Sequence, residues 1–376
     1  MPNSADVLAK DGVDGVESPG RFARSGSKSA AEASGSRVQQ ARRKVVIFRL
    51  GSLGDTVVAL PCFHKIAEAF PDAERVVLTN VPVSSKAASI ELILGGSGLI
   101  DGVMDYPLRL RSPTEALRLS RKLRALDADA IVYLTARLSR LQVLRDMLFF
   151  RFSGLKRIVG APLAADVQVA TYDSDGQLEK ECVRLARSMR TLGPIDLEDR
   201  RNWDLRLTAA EAEAGDAALA PFGGRPFVAV NMGGKAVENH WGDDNWRRFF
   251  EDLSATHGGY GLLFVGAAEE GVSVEAVSSG WPSPVVNACG KLRPRESAAA
   301  MRAASLFTGH DSGPMHLAAA VGVTCVAPFS GLNPPRKWHP FGNNHRIIHR
   351  MEGVDKIRVE EMTREFRAAL PAAASA

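Results

Sequence analysis

Short apolar runs alternate with longer amphipathic runs along the chain from residue 44 onward. The run VVIFRL is followed by apolar positions at helical spacing over 55–70, which end before Pro71, and then by the run RVVLTN. A strand, an amphipathic helix and a second strand in this order predict a parallel strand–helix–strand unit. The alternation continues through GVMDYP, ADAIVYL and KRIVG, with helices expected over 113–126 and 138–152. The first half is therefore predicted to be a parallel sheet layered with helices.

The second half repeats this organisation after the polar stretch TLGPIDLEDR, whose Gly-Pro break indicates a domain junction. We place the two domains at 44–195 and 196–376. The runs PFVAVN, YGLLFVG, PVVNACG, SLFTGH and VTCVAPF predict five further strands, and HRIIHR a last one. A closing helix over 359–370 is expected to stay with the second half or to return to the first. The predicted fold class is α/β, with two Rossmann-like doubly wound domains facing each other across a cleft.

Composition narrows the classes of protein. Lys and Arg outnumber Asp and Glu by 47 to 43, and a net charge of +4 on 376 residues is too small to indicate a nucleic-acid partner. Residues 1–43 lack apolar periodicity and are expected to form a disordered tail.

The scattered cysteines are expected to be buried thiols in a cytoplasmic protein; they are Cys62, Cys182, Cys289 and Cys325. No apolar run is long enough to span a membrane, so we expect a cytoplasmic protein, either soluble or peripheral to the membrane.

The most specific motif is DSGPMHLAAAVGV, where a predicted strand turns into a helix over 312–321. Asp311 is a suitable N-cap. Ser312 and Gly313 then present backbone N–H groups at the first helical turn, which is a typical site for a diphosphate. His316 lies one turn further on, within reach of a phosphate or of the loop that it would hold. The alternative is an ordinary capped helix with a hydrogen-bonded histidine.

The motif RLGSLGDTVVALP is the counterpart in the first half. It matches neither the Walker pattern nor the G-x-G-x-x-G fingerprint. Gly54 allows close backbone approach, and Ser52 and the N–H of Leu53 could contact a ligand. Asp55 stands where a fixed negative charge would repel a phosphate bound to the same helix. This carboxylate is therefore either a helix cap or a working group.

Two further loops follow predicted strands of the second half. NMGGKAVENHWGDD contains Lys235, which could neutralise a phosphate as a point charge. FVGAAEEG places Glu269 and Glu270 where a carboxylate can bind ribose hydroxyls, with solvated first-turn acids as the alternative. Trp241 and Trp246 are expected to be core or loop anchors, with platforms for a cofactor as the alternative.

Two D-x-D pairs superficially match the metal-binding signature of glycosyl transfer. One of them, Asp127 and Asp129, precedes its strand instead of following it, and the other, Asp173 and Asp175, falls in a polar loop. No metal site is predicted at either pair, and no cofactor is expected. The basic, very apolar helix over 138–152 is expected to meet an acidic acceptor or an anionic membrane, or else to be a packed helix with a solvated basic face.

Together, RLGSLGDTVVALP, GAAEE and DSGPMHLAAAVGV resemble the heptosyltransferase family, family nine of the glycosyltransferases, which has the GT-B fold. The resemblance extends from residue 44 to the C-terminus. It implies metal-independent, inverting transfer of a sugar from a nucleotide diphosphate donor, typically ADP-heptose, to a lipopolysaccharide core or related glycan or glycolipid on the cytoplasmic face.

The resemblance also implies roles for individual residues. Asp55 is similar to the family's proposed general base, which would act on an acceptor hydroxyl while the diphosphate lies on the facing helix. The remaining correspondences are Ser52, Leu53 and Gly54 in the acceptor and phosphate loop, Ser312, Gly313 and His316 at the diphosphate helix, Glu269 or Glu270 at the ribose, and Trp338 and Pro340 in the segment over the donor. The chain departs from the family's pattern at one position. The family commonly has a lysine directly before this tryptophan, whereas here His240 precedes Trp241 and the nearest lysine is Lys235.

Two other functions remain open at the level of the sequence. One is a sugar-nucleotide epimerase or hydrolase that needs no acceptor. The other is a non-catalytic GT-B module that binds a nucleotide or acts as a scaffold.

Overall fold

The first half of the chain forms a five-stranded parallel sheet with helices between its strands. The computed structural model describes residues 43–80, 88–107, 112–135, 139–164, 169–172, 174–234 and 237–372. In chain order the elements of this half are β1 (Lys44–Phe48), α1 (Leu53–Val58), α2 (Leu60–Ala69), β2 (Glu74–Thr79), α3 (Ile90–Leu94), β3 (Gly102–Asp105), α4 (Pro113–Leu126), β4 (Ala130–Tyr133), α5 (Arg140–Phe152), β5 (Arg157–Val159) and α6 (Glu181–Ser188).

The second half forms a six-stranded parallel sheet. Short 3-10 turns at Arg190–Leu192 and Arg200–Trp203 precede it. Its elements are α7 (Ala209–Leu219), β6 (Phe227–Asn231), α8 (Asp243–His257), β7 (Gly261–Phe264), α9 (Val274–Val277), β8 (Val285–Asn287), α10 (Pro294–Met301), β9 (Leu306–Gly309), α11 (Gly313–Ala320), β10 (Cys325–Phe329), β11 (Arg346–His349) and α12 (Val359–Ala369).

Strand order is the same in both sheets and defines where a ligand can bind. The first sheet runs β3-β2-β1-β4-β5 and the second β11-β10-β9-β6-β7-β8, which is the doubly wound order in each case. In the first sheet β1 pairs with both β2 and β4, and in the second β6 pairs with both β7 and β9. Strand order therefore reverses beside β1 and beside β6, and the loops after β1, β4, β6 and β9 flank the two crevices. This confirms the predicted α/β fold class.

The first helix differs from the sequence prediction, which had one helix over 55–70. The structure has α1 and α2, separated at Ala59, whose φ and ψ are −91° and 0°. Pro61 is the cause, because it has no N–H to donate to the carbonyl of Val57 and is tolerated only in the first turn of a new helix. As a result, α1 is a single short element that carries Asp55 at the edge of the sheet.

The start of α11 also corrects a prediction. Ser312 is the N-cap residue, with extended φ and ψ of −152° and 168°, and Asp311 lies one position earlier. The Asp311 carboxylate accepts a hydrogen bond from Asn333 Nδ2 at 3.1 Å, so its observed partner is a side chain of a neighbouring loop.

Buried side chains fill the space on both faces of each sheet. Trp241 and Trp246 are buried and pack edge to face at 5.0 Å between ring centroids, which confirms both as core anchors. The cysteines are buried free thiols, as predicted.

Helix α12 packs against α8, β10 and β11, so the closing helix stays with the second sheet. Residues Arg42–Ala376 cluster as one unit, and the junction between 195 and 196 remains a prediction.

Candidate active site

A cleft of ≈ 1040 Å³ lies between the carboxyl ends of the two sheets. It is lined by residues from both halves of the chain, and most of the predicted site residues in the described part of the chain are among them. From the first half these are Ser52, Leu53, Gly54 and Asp55; from the second they are Glu269, Glu270, Asp311, Ser312, Gly313 and His316. Motifs that are more than 200 positions apart in sequence therefore form one site.

The starts of α1 and α11 lie directly against each other in this cleft. A Cβ atom on Gly313 would come within 2.6 Å of Leu53 Cδ2, and one on Gly54 within 3.0 Å of His316 Cδ2. Larger residues at either glycine would push the two helices apart. The N-terminus of α11 carries a positive dipole end, whereas the N-terminus of α1 already holds the Asp55 carboxylate.

The Asp55 carboxylate is held by its own helix cap. Its Oδ2 accepts hydrogen bonds from Ser52 N at 2.7 Å and from Ser52 Oγ at 2.8 Å. Gly51 makes room for this arrangement, because its φ is +143° and a Cβ there would lie 2.5 Å from Asp55 Cβ. The capping role is thus present in the structure. Because both described hydrogen bonds end on Oδ2, the other oxygen, Oδ1, is the one left for a ligand in the cleft.

Arg49 supports this loop from behind, a role that its sequence context does not indicate. It is buried, donates from one terminal nitrogen to Leu134 O at 3.0 Å and from the other to the Asp55 carbonyl. Burial lowers the pKa of Arg49, and the Asp55 charge opposes that shift. A fixed cation at the end of an otherwise apolar strand therefore ties β1, α1 and the end of β4 together. In the sequence Arg49 is a single charged residue within the apolar run VVIFRL, which does not by itself indicate a role.

Asn231 connects the second-sheet side of the site and was also missed. Its Nδ2 donates to Val265 O at 3.0 Å and to Glu270 Oε2 at 2.9 Å, while its Oδ1 accepts from Ser312 Oγ at 2.7 Å. This network leaves the Ser312 hydroxyl committed to Asn231, and the first backbone N–H groups of α11 face the cleft without a side-chain cap. Those N–H groups can bind an anion.

The two candidate ribose acids differ in their surroundings. Glu270 is half-buried and accepts a second hydrogen bond from Ala267 N at 3.2 Å. Its carboxyl group lies over Gly233 and Gly266, where an added Cβ would come within 1.9 Å and 2.0 Å of it. Burial raises the pKa of Glu270. Glu269 is exposed at the cleft wall. Of the two, Glu270 has an evident structural task.

Asp311 is the titratable group most affected by the cleft. Burial raises its pKa to about 6, with the Asp55 charge adding to the shift and the Asn333 hydrogen bond opposing it. The Asp55 charge therefore acts on Asp311 across the meeting point of α1 and α11.

We expect Asp311→Asn to stabilise the protein well above pH 6 and to have little effect in acid. The native pKa of about 6 exceeds the ordinary value of 3.8, so the native state binds the proton more tightly and loses stability as pH rises through this window. The amide oxygen still accepts from Asn333, and the expected gain is about 2–3 kcal/mol. Urea unfolding at several pH values measures this gain; an equal gain at every pH would contradict a raised pKa of Asp311 in the native state.

His316 is buried, and burial lowers its pKa to about 4. The imidazole is therefore neutral at physiological pH, although the nearby Asp55 charge favours protonation. A neutral ring against Gly54 holds the two helix starts in register and can still offer a hydrogen bond to a ligand.

The loop after β6 is fixed by its aromatic residues. Trp241 N donates to His310 Nε2 at 2.9 Å, and Trp241 Nε1 donates to Ile357 O at 2.7 Å. Burial lowers the pKa of His310 to about 3, in keeping with its acceptor role. His240 stacks on His310 with ring centroids 5.9 Å apart and lines the cleft. Lys235, the predicted phosphate-binding cation of this loop, lies outside the described residues.

The segment predicted to lie over the donor reaches the cleft through Trp338. Lys180 holds this segment, because its Nζ donates to Pro340 O at 2.6 Å and to Gly342 O at 3.1 Å. Glu181 N also donates to Lys337 O at 2.8 Å. Residues of the first half thereby anchor a loop that borders the second-sheet side of the site.

Within the described ranges, no group of three or more His, Cys, Asp or Glu side chains is arranged to hold a metal ion. Asp127 ends α4 in a left-handed conformation and Asp129 precedes β4, while Asp173 lies outside the described residues.

Two doubly wound sheets whose switch points open into one cleft are the GT-B architecture of glycosyltransferases. The sequence model of glycosyltransferase family 9 (heptosyltransferase) matches residues 116–365, more than half of the chain. The chain belongs to this family, which confirms the predicted resemblance, and it is a glycosyltransferase.

Solved structures share the fold at low sequence identity. A family 9 glycosyltransferase from Veillonella parvula has a TM-score of 0.66 at 16% identity, covering 87% of this chain and 97% of its own. ADP-heptose LPS heptosyltransferase II of E. coli has a TM-score of 0.61 at 16% identity, covering 87% and 98%. E. coli heptosyltransferase WaaC, solved with ADP-2-deoxy-2-fluoro heptose, has 0.57 at 14%, covering 87% and 100%. No curated protein sequence matches the chain.

Proposed function

We propose that the protein transfers a sugar from a nucleotide diphosphate donor, ADP-heptose first among them, to a lipopolysaccharide-type or other cell-envelope glycan. The transfer inverts the anomeric configuration and needs no metal. One observation carries the proposal: a carboxylate on the first-sheet side and an uncapped helix N-terminus on the second-sheet side line the same cleft. A base and a diphosphate site on opposite walls suit direct displacement at the anomeric carbon between them.

The donor diphosphate is proposed to bind at the first turn of α11. The N–H groups after Ser312 and the positive end of the helix stabilise the negative charge that grows on the leaving group in the transition state. Asn231 keeps the Ser312 hydroxyl turned away from these N–H groups, which leaves them available. The WaaC structure was solved with ADP-2-deoxy-2-fluoro heptose, and this supports ADP-heptose as the donor to test first.

Asp55 is proposed to be the general base. Its Oδ1 takes the proton of the acceptor hydroxyl while that oxygen attacks the anomeric carbon from the face opposite the diphosphate. The C–O bond to the acceptor forms as the bond to the diphosphate breaks, so inversion follows from a single displacement. Ser52 fixes the carboxylate through Oδ2, and this orientation limits the entropy lost on reaching the transition state.

The glycan or glycolipid acceptor is proposed to enter from the first-sheet side, beside Ser52, Leu53 and Gly54, at the inner face of the cytoplasmic membrane.

The direct test of single displacement is the anomeric configuration of the product. NMR of the isolated glycan should show the configuration opposite to that of the donor. Retention would contradict single displacement, whereas an epimer or free sugar formed from donor alone would favour the acceptor-independent enzymes.

A further inference from the structure

We propose that the outer face of α5, with the basic residues around it, docks the protein on an anionic lipid surface. No helix in the part of the chain that the structure describes is both long and apolar enough to cross a bilayer, so the contact is interfacial. The inference rests on the proposed function for where the acceptor lies, but lipid binding itself can be measured with neither donor nor acceptor present.

Helix α5 has two apolar faces, whereas a surface helix of a globular protein normally has one. The inner face packs on the first sheet through buried Val143 and Phe150. On this face Asp146 is buried and accepts a hydrogen bond from Tyr133 Oη at 2.8 Å. The packing needs of the helix are therefore met by this face alone.

The outer face presents large apolar side chains to solvent. The residues that carry these side chains are three, four and four positions apart in sequence. They therefore fall within one narrow arc of the helix. The exposed fractions are 78% for Leu141, 47% for Leu144, 61% for Leu148 and 62% for Phe152. A contiguous exposed apolar patch on a soluble domain marks a surface that binds something.

Basic side chains surround the exposed apolar residues on the outer face of α5. Arg145 flanks one side and Arg140 and Arg151 the other, at 100° per residue around the helix. Helix α4 packs beside α5, and Arg124 of α4 lies over the Phe152 ring, 5.0 Å from its centroid. Further exposed cations on α4 and after α5 are Arg118, Arg121, Lys122, Lys156 and Arg157.

Acidic side chains are few on the same surface. Among the described residues from 113 to 157 they are Glu115, Asp127, Asp129 and Asp146, and Asp146 is buried. Apolar side chains on a convex helix, flanked by arginines, match the acyl boundary and the anionic headgroups of a bilayer respectively. Long basic side chains can keep their charges at the headgroups while their stems stay apolar. This charge complementarity selects an anionic membrane as the occupant.

The outer face of α5 begins at the edge of the sheet that forms the cleft. Helix α5 follows the carboxyl end of β4, so Leu141 and Leu144 lie near the same edge as the loop after β1. Arg49 connects these two places, since it bonds to both the Leu134 and Asp55 carbonyls. Docking through α5 therefore brings the Asp55 wall of the cleft to the lipid surface from which a lipid-linked acceptor extends.

Co-sedimentation with vesicles tests the docking surface. Wild-type protein should bind phosphatidylcholine vesicles that contain phosphatidylglycerol, should bind vesicles of phosphatidylcholine alone much more weakly, and should be released by high salt. Leu148→Glu should weaken binding about tenfold or more by placing a charge in the acyl boundary. Met351→Glu is the matched control, because Met351 is 55% exposed outside this surface. Leu141→Glu repeats the test at the most exposed leucine.

Arg151→Gln should weaken binding to the anionic vesicles about threefold to fivefold, and the control Arg302→Gln should not. Equal binding to neutral vesicles, or no loss in the leucine variants, would overturn the proposal. So would a dimer of wild type that Leu148→Glu converts to monomer without any vesicle binding, because the occupant would then be a second copy. Transfer to a water-soluble, delipidated acceptor should be unaffected by Leu148→Glu. If wild type binds anionic vesicles but transfers to no acceptor, docking stands and the proposed function fails.

Discussion

Asp55→Asn should reduce the rate of sugar transfer by about 10²–10⁴-fold while leaving donor affinity nearly unchanged. The amide cannot accept the acceptor proton, but its oxygen still accepts the two hydrogen bonds from Ser52. The cap is therefore retained and only the base is lost. Single-turnover transfer at saturating donor measures the rate, and calorimetry with the nucleoside diphosphate measures affinity.

The control for Asp55→Asn is a second carboxylate that also caps a helix N-terminus. Glu361 caps α12 by accepting from Arg358 N at 3.1 Å, and it does not line the cleft. Glu361→Gln should transfer at the wild-type rate. If Asp55→Asn were no slower than this control, Asp55 would be a cap alone. The Asp311 pKa offers an independent readout, since loss of the Asp55 charge should lower it.

Asn231→Asp should destabilise the protein by about 3 kcal/mol or more. The side chain is buried, and its Nδ2 donates to two groups that only accept, the Val265 carbonyl and the Glu270 carboxylate. A carboxylate at this position removes both donors and faces Glu270 with like charge. Urea unfolding at neutral pH gives the change in the free energy of unfolding.

A second variant separates charge repulsion from general damage. Adding Glu270→Gln to Asn231→Asp should recover part of the loss, because the Gln amide can donate to the new carboxylate. Asn287→Asp is the matched control at the end of β8, where Nδ2 donates to Gly271 O at 2.9 Å; we expect a loss of about 1 kcal/mol. Similar losses at both asparagines, with no recovery in the double variant, would refute the network as described.

The alternation of apolar runs was sufficient to predict both sheets, because a buried parallel strand and an amphipathic helix have distinct periods. The helix break at Ala59 was missed although Pro61 was visible, since an apolar helical spacing continued across it. The N-cap of α11 was placed one residue early because Asp and Ser are both good caps and only the backbone dihedrals distinguish them.

The site was harder to predict than the fold. The residues of the two end motifs were identified, and the structure brings the described ones into one cleft. Asn231 and Arg49 were missed because a single polar residue at a strand end carries no local signature. The close approach of Gly54 to His316 depends on contact between distant parts of the chain, which no periodicity in the sequence encodes.

Measuring nucleoside diphosphate release from ADP-heptose, with and without a lipopolysaccharide-core acceptor, shows whether this cleft carries out acceptor-dependent glycosyl transfer. A panel of other nucleotide sugars extends the same measurement to the donor. We expect release by wild type to require the acceptor and Asp55→Asn nearly to abolish it. Equal release without any acceptor, or nucleotide binding with no release from any donor and acceptor pair, would contradict this expectation.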